Sequence, residues 1–282
     1  IKGDIRDRDI LKKIFKYQSI KSVIHFAGLK AVGEAEKFPI KYYENNVLGS
    51  LNLFHEMELA EVKTIVFSSS ATVYGKHTKN KYDEDTPTRP INVYGRTKHI
   101  VENILRDIKK SDDNWSIGLL RYFNPVGAHA SGIIGENPKE KPNNLLPYIS
   151  QVAAGLREKL FIFGNDYPTS DGTGRRDYIH IEDLSSAHIK TLYLIQNTKN
   201  KLFTLNLGTG KSHSVFEMIN QFEEVSGKEI PFQVVDRRPG DLAEFYADAS
   251  KAEKLLDWKA NRSVKEMCED TWRWQKNNFF NK

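Results

Sequence analysis

One cysteine, three methionines, ten prolines and no apolar run of membrane length are what this 282-residue sequence is poorest in. Each shortage excludes something. The lone thiol, Cys268, rules out an intramolecular disulfide and a cysteine-built zinc cluster, and points to a reducing, cytoplasmic setting. The apolar stretch around residues 65–67 falls far short of the ~18 residues that a membrane span needs, so no membrane partner is expected. An excess of one charge is also missing. Lys and Arg number 42 against 37 Asp and Glu, a net +5, and the basic residues are scattered among acidic ones. That pattern suits small anions and not nucleic acid. At the N-terminus there is neither a basic-apolar signal pattern nor an initiating Met; residues 1–4 read as the end of a strand, as in a fragment. With 39% apolar and 28% charged residues, the chain is an ordinary globular one with room for one or two domains.

Apolar periodicity then supplies the organisation. Helical spacing covers about 7–18, 40–59 and 94–108, alternating with short β-rich runs at 22–26, 64–67 and 117–121. Strands separated by helices of this length make βαβ units and hence an α/β fold with a doubly wound, Rossmann-like parallel sheet. The stretch 125–147, rich in Gly, Pro and Asn, marks a domain boundary. We therefore expect one domain over 1–125 and a smaller α/β domain over 126–282, partly interleaved with the first. In the second, the pattern predicts a helix at 146–155, a strand at 160–163, a polar loop at 166–176, a helix at 181–195, a strand at 203–207, and helices at 215–226 and 264–277.

Several motifs fail on inspection. Gly210-Lys211-Ser212 imitates the end of a phosphate loop, but Leu205 stands where that motif needs its first glycine, so a capped strand-to-helix turn suffices. His180 and His188 lie eight residues apart without a metal-ligand spacing, and no metal is expected. No G-x-S-x-G nucleophile turn is present.

The informative pair is Tyr94 and Lys98, four residues apart at the start of a helix and so on one helical face. An ammonium there is expected to lower the phenol pKa from near ~10 toward a useful acid/base range. About 24 residues earlier, at the carboxyl end of a strand, stands the block Ser68-Ser69-Ser70-Ala71-Thr72-Val73-Tyr74-Gly75. Carboxyl ends of parallel strands form the ligand crevice, so Ser70 can meet a reacting alcohol beside Tyr94. Ser70, Tyr94 and Lys98 in this order describe alcohol oxidation with a nicotinamide.

With these residues in hand, the chain resembles the extended short-chain dehydrogenase/reductase superfamily, and within it the nucleotide-sugar 4-epimerases. The resemblance runs through GDIRD at 3–7, IHFAGLKAVG at 24–33, the serine block, LRYFNPVGAH at 120–129, PNNLLP at 142–147, FGNDYPT at 163–169, and the stretches 171–180 and 237–249. It implies NAD as cofactor, a UDP-sugar substrate, a homodimer, and interconversion of UDP-glucose and UDP-galactose by transient oxidation at C4 of the hexose. By resemblance, Asp4 and Ile5 meet the adenine, Phe26, Ala27 and Gly28 pass along the cofactor, Lys30 lies near its phosphates and ribose, and Asn45 contributes an amide. Tyr94 is the acid/base, Lys98 holds the nicotinamide ribose, Ser70 orients the sugar hydroxyl, and Phe123 packs by the nicotinamide. Lys30, Ser70 and Tyr94 also face the substrate.

For the rest of the nucleotide sugar, the resemblance implicates Asn124, Asn144, Arg176, Tyr178, Arg238 and Asp241 around the diphosphate and ribose, and Phe161, Ile162 and Phe163 as the uracil strand. Phe245 matches a position lining the hexose pocket, where a bulky residue accompanies restriction to plain hexoses and a small one accompanies acceptance of N-acetylated sugars. Two alternatives share the scaffold, a 4,6-dehydratase and a UDP-N-acetylglucosamine 4-epimerase. The dehydratases resemble one another in acidic residues directly after the Ser or Thr, where this chain has Ala71 and Thr72. The superfamily also opens with a strand, a glycine-rich turn and a helix that receives the pyrophosphate. The sequence as it stands starts beyond that unit. It is therefore expected to bind NAD poorly or fold incompletely by itself, which keeps a cofactor-free binding fragment as a third alternative.

Overall fold

A computed structural model describes residues 1–138, 142–198, 201–238 and 240–279. Residues 139–141 of the boundary loop and Pro239 of the 237–249 motif lie outside the described residues. The first half alternates as its periodicity predicts. Helix α1 (Arg8–Tyr17) starts where Asp7 accepts hydrogen bonds from the Asp9 and Ile10 amides. It is followed by β1 (Val23–His25), α2 (Val32–Lys37), α3 (Pro39–Tyr42), a π-helical turn over Tyr43–Leu48, α4 (Gly49–Leu59) and β2 (Thr64–Ser68). Next come β3 (Lys81–Tyr82), α5 (Val93–Ser111), β4 (Ser116–Tyr122) and β5 (Asn124–Val126). The remainder is α6 (Leu145–Ala153), β6 (Leu160–Phe163), β7 (Arg175–Arg176), β8 (Tyr178–His180), α7 (Ile181–Asn197), β9 (Leu202–Leu207), β10 (His213–Ser214), α8 (Val215–Ser226), β11 (Phe232–Val235), β12 (Glu244–Ala247), α9 (Ser250–Leu256) and α10 (Val264–Phe279).

The main sheet is wholly parallel in the order β1-β2-β4-β9. Parallel sheets are covered on both faces. On one face α1, α4 and α5 bury Leu11, Phe54, Met57 and Leu105 against Ile65, Phe67, Ile117 and Leu119. On the other, α7 and α9 bury Leu184, Ala187, Ile195 and Leu256 against Val66, Leu120, Leu205 and Leu207. A third cluster, with Ile149, Ile162, Met218, Phe222, Met267 and Trp272, joins α6, α8 and α10 to the parallel pair β6–β11. Thus β9 and α7, which come after residue 126 in the chain, complete the sheet begun before it.

The differences from the sequence reading are local. Residues 1–4 form no strand, since they are exposed and make no ladder. The single helix expected over 40–59 is α3, the π turn and α4 in succession, with α2 added ahead of it. The polar loop at 166–176 ends in β7, and the glycine-rich stretch at 125–147 begins in β5. These short strands are fixed by distant partners: β7 lies between β10 and β12, and β5 pairs with β8. Nothing in their own composition announces them.

Candidate active site

The carboxyl end of β2 runs into Ser69 and Ser70, and Ser70 caps the short turn Ala71–Val73 by accepting from the Thr72 amide. Helix α5 approaches that turn at its first residues. Asn92 caps the helix through the Gly95 amide at 2.7 Å, and a Cβ at Gly95 would lie 2.7 Å from the Thr72 carbonyl oxygen. Only glycine permits this approach. It brings Tyr94 beside Ser70, whose hydroxyl acts on the phenol. One turn on, Lys98 is 5% exposed, donates to the Ser68 carbonyl at 2.8 Å, and sits 6.0 Å from the centre of the Tyr94 ring. The three residues singled out by order and spacing therefore converge in one buried crevice.

The protonation picture differs from the sequence expectation. Burial pushes the Tyr94 phenol up from its ordinary value, and only the Ser70 hydrogen bond pulls it back. The expected depression by Lys98 is not realised, because the ammonium is directed at a backbone carbonyl while desolvation of the phenolate dominates. Burial also brings Lys98 down to about 8, opposed by the charge of Glu102.

The loop after β1 forms one wall of the crevice. Phe26, Ala27 and Gly28 are exposed along it, and Phe26 stacks 4.8 Å from the His188 ring. A Cβ at Gly28 would meet Asn46 Oδ1 at 3.3 Å and the Lys98 ammonium at 3.5 Å. The bare backbone at 28 thus leaves an open cradle over the ammonium, which fits a ribose and a flat ring. Asn45, the amide expected here, is half-buried. Its neighbour Asn46, which sequence reasoning missed, is buried, accepts from the Leu29 amide at 2.7 Å and donates to the Leu29 carbonyl and to Thr97 Oγ1 at 3.0 Å each. Asp4 is exposed and paired with Arg6, and Ile5 packs against Gly49 of α4. Lys30 reaches Glu136 at 2.7 Å, and the same Glu136 oxygen accepts from the Asn144 amide at 3.2 Å. Glu136 was also missed. It links a residue expected at the cofactor with one expected at the substrate.

The substrate-side residues assemble from several strands. Asn124 of β5 pairs in register with Tyr178 of β8, which is buried. Phe245 of β12 pairs with Arg176 of β7 and packs 4.7 Å from the Phe123 ring and 4.6 Å from Tyr82. Asp241 lies between two guanidiniums, 3.7 Å from Arg176 and 3.1 Å from Arg238. Arg238 also covers the Phe163 ring at 4.5 Å, beside Ile162 and Phe161 on β6. One buried group ties these pieces together. The Asp177 carboxylate accepts from the Thr209 amide and hydroxyl at 2.8 and 2.7 Å, the Gly210 amide at 3.0 Å and the Ala247 amide at 3.1 Å. Its position between Arg176 and Tyr178, inside the motif at 171–180, was the available signal.

Away from the crevice, His180, Glu182 and Asp270 converge closely enough for a metal ion. Their carboxylates are already engaged by Arg262 and Arg273, so the cluster is an ionic tie between α7 and α10.

The family described as GDP-mannose 4,6 dehydratase matches residues 1–271. The UDP-glucose 4-epimerase of Bacillus subtilis (strain 168) is 53% identical over 276 residues, covering 98% of this chain and 81% of the relative. That of Dictyostelium discoideum is 53% identical over 272 residues, covering 96% and 79%. Among solved structures, UDP-glucose-4-epimerase from Stenotrophomonas maltophila with bound NAD and formylated UDP-arabinopyranose superimposes with a TM-score of 0.96 at 48% identity, covering all of this chain and 84% of that one. The Bifidobacterium longum UDP-glucose 4-epimerase in complex with NAD+ and UDP gives 0.95 at 48%, covering 99% and 83%.

Proposed function

The chain belongs to the UDP-glucose 4-epimerase family of extended short-chain dehydrogenases/reductases, and from that premise we propose that it interconverts UDP-glucose and UDP-galactose with NAD. The observation that carries the reading is the buried meeting of Ser70, Tyr94 and Lys98 beside the open Gly28 cradle. Bound NAD supplies the acceptor, and then the donor, of the hydride at C4 of the hexose. Tyr94 takes the proton of the sugar 4-hydroxyl as the hydride leaves, and returns it to the ketone oxygen once the opposite face of the sugar is presented. Burial opposes the phenolate, so the proton must pass with the hydride as NAD and the sugar close the crevice, with the Lys98 ammonium 6.0 Å from the ring as the neighbouring cation. Ser70 steadies the reacting oxygen.

Arg176 and Arg238 anchor the diphosphate, since guanidinium forks match phosphate oxygens, and the strand 161–163 receives the uracil. With the nucleotide held, the hexose turns against the wall made by Phe123 and Phe245. A 4,6-dehydratase would need a further acid beside Ser70. The next residues are Ala71, buried in the turn, and Thr72, whose hydroxyl donates to Ser70 at 2.9 Å.

Residues 1–125 with the returning β9 form the NAD-binding half of this proposal, and the rest of 126–282 the UDP-sugar half. A homodimer fits the exposed Ile40, Leu48, Leu51 and Leu59 along the helices before β2. A cytoplasmic setting fits the buried free Cys268, and no helix of the described residues is long and apolar enough to cross a membrane. The decisive test is to incubate the NAD-loaded protein with UDP-galactose and identify the product. UDP-glucose is expected; a dehydrated sugar, or no conversion, would overturn the assignment.

A further inference from the structure

Beneath the catalytic crevice lies a buried ionic cluster to which the reaction above gives no role. Glu102 stands on α5 one turn beyond Lys98 and two beyond Tyr94, and is 1% exposed. Both its oxygens are engaged. Oε1 accepts from Ser69 Oγ at 2.6 Å and from Arg121 Nε at 2.9 Å, and Oε2 accepts from Arg121 Nη2 at 2.5 Å. Arg121, on β4, is itself buried, and its guanidinium lies 4.8 Å from the centre of the Tyr74 ring. Two opposite charges so far from water are poor value for stability alone, since well-packed apolar residues often serve as well or better. Their place one turn below Lys98, with a hydrogen bond to the serine that precedes Ser70, points to the chemistry instead.

We propose that Glu102 and Arg121 are positioning residues for the Ser70–Tyr94–Lys98 centre: Glu102 keeps Lys98 an ammonium and, through Ser69, fixes the exit of β2 that carries Ser70, while Arg121 holds that carboxylate in place. The proposal rests on the epimerase reading and adds to it the pair that sets the charge of the site.

The groups around Lys98 support this division. From β1 comes His25, kept neutral because burial, with help from Lys98, brings it down to about 3. From β2 come the Ser68 carbonyl and the Phe67 ring, 4.9 Å from the ammonium. Tyr94 lies on α5, and Tyr122 of β4 and Tyr42 of α3 act on Tyr94 as potential phenolates. Among the described residues Glu102 is the carboxylate whose charge favours protonated Lys98 against the effect of burial. Glu102 is itself held ionised against burial, chiefly by its hydrogen bonds and charge contact with Arg121.

The test follows Lys98 directly. In protein labelled with carbon-13 lysine, with the Lys98 signal assigned by its loss in Lys98→Arg, the midpoint of Lys98 is read by NMR against pH with and without NAD. Glu102→Gln, which removes the carboxylate and leaves uncompensated both Arg121 and Arg106, whose guanidinium lies 3.5 Å from Oε2, should lower that midpoint. Glu102→Asp should leave it near the parent value. The double variant Glu102→Gln/Arg121→Gln should recover part of the loss, because the buried one of the two stranded cations is gone and only the half-exposed Arg106 remains. The alkaline limb of kcat against pH should move with the midpoint, while KM for UDP-galactose stays within a few-fold. A midpoint that stays fixed in Glu102→Gln while kcat falls, or a double variant lower than the single, overturns the proposal. Failure of the parent enzyme to interconvert the two sugars would overturn the epimerase reading instead, and the NMR midpoints would still decide the role of the pair.

Discussion

Asp177→Asn is the substitution whose outcome the structure constrains most tightly. Four donors meet this one carboxylate, two on each oxygen, and they come from the Gly208–Gly210 turn and from the end of β12. Burial raises the carboxyl pKa, and the Thr209, Ala247 and Gly210 hydrogen bonds oppose the rise. Asparagine keeps the shape but turns one oxygen into an amino group. Facing Gly210 and Ala247 the amino group meets two amide donors; facing Thr209 it meets one, because the hydroxyl can turn to accept. The amide will settle on the Thr209 side, where one buried donor is orphaned at a cost of about 1–3 kcal/mol.

Because Asp177 sits between Arg176 and Tyr178, and the Ala247 amide it holds is two residues from Phe245, loosening the joint should also spoil the nucleotide-sugar pocket. Part of the same energy should appear as a KM for UDP-galactose raised about tenfold for each 1.4 kcal/mol of misplacement. Urea unfolding measures the first quantity, and steady-state kinetics the second. A variant with the parent unfolding midpoint and the parent KM would refute the reasoning, because the hydrogen bonds lost at the replaced oxygen would then have contributed nothing.

Tyr94→Phe removes the acid/base and leaves the packing, so turnover should fall by about 10²–10⁴ while UDP binding, measured calorimetrically, stays near the parent value. Phe245→Cys opens the wall at Phe123, and kcat/KM for UDP-N-acetylglucosamine should rise relative to UDP-glucose; an unchanged ratio would remove Phe245 as the gate. Lys98 carries a pH signature in stability. Its folded pKa of about 8 lies below its ordinary 10.5, so the unfolded chain binds more protons and stability rises with pH between those values. Relative to Lys98→Met, the parent should gain roughly 3 kcal/mol across that window, at 1.36 kcal/mol per unit; a flat difference in denaturant titrations from pH 7 to 11 would contradict the burial argument.

How much of this was legible in the sequence depends on how local each signal is. The alternation of strand and helix up to Tyr122 is written in adjacent residues, and so is the Tyr94–Lys98 face, because a helix enforces its own period. The pairing of β7 with β12 is not, since Arg175 and Arg176 acquire their strand geometry only when Glu244 and Phe245 arrive from some seventy residues away. Polar partners were missed for a similar reason. Glu102 and Asp177 look like ordinary surface acids until Arg121 and the 209–210 turn are placed around them. Asn45 and Asn46 are adjacent and chemically identical, and only the local winding of the helix decides which one faces inward.

That winding has a consequence for how the protein tolerates change. A π turn carries one residue more than the α-helix it interrupts, and the surplus over Tyr43–Leu48 is what aims Asn46 at Leu29 and Thr97 while α4 still buries Phe54 and Met57 beneath the sheet. Deleting a single residue there would give a more regular helix and a worse protein. The residues on either side would keep their faces, because an α turn of about 3.6 residues closes the same circle as the wider π turn, so α4 would still bury Phe54 and Met57 while the bulge that aims Asn46 at Leu29 and Thr97 behind Gly28 would be lost. Regularity in this segment and a working crevice are alternatives, and the fold has kept the irregular one.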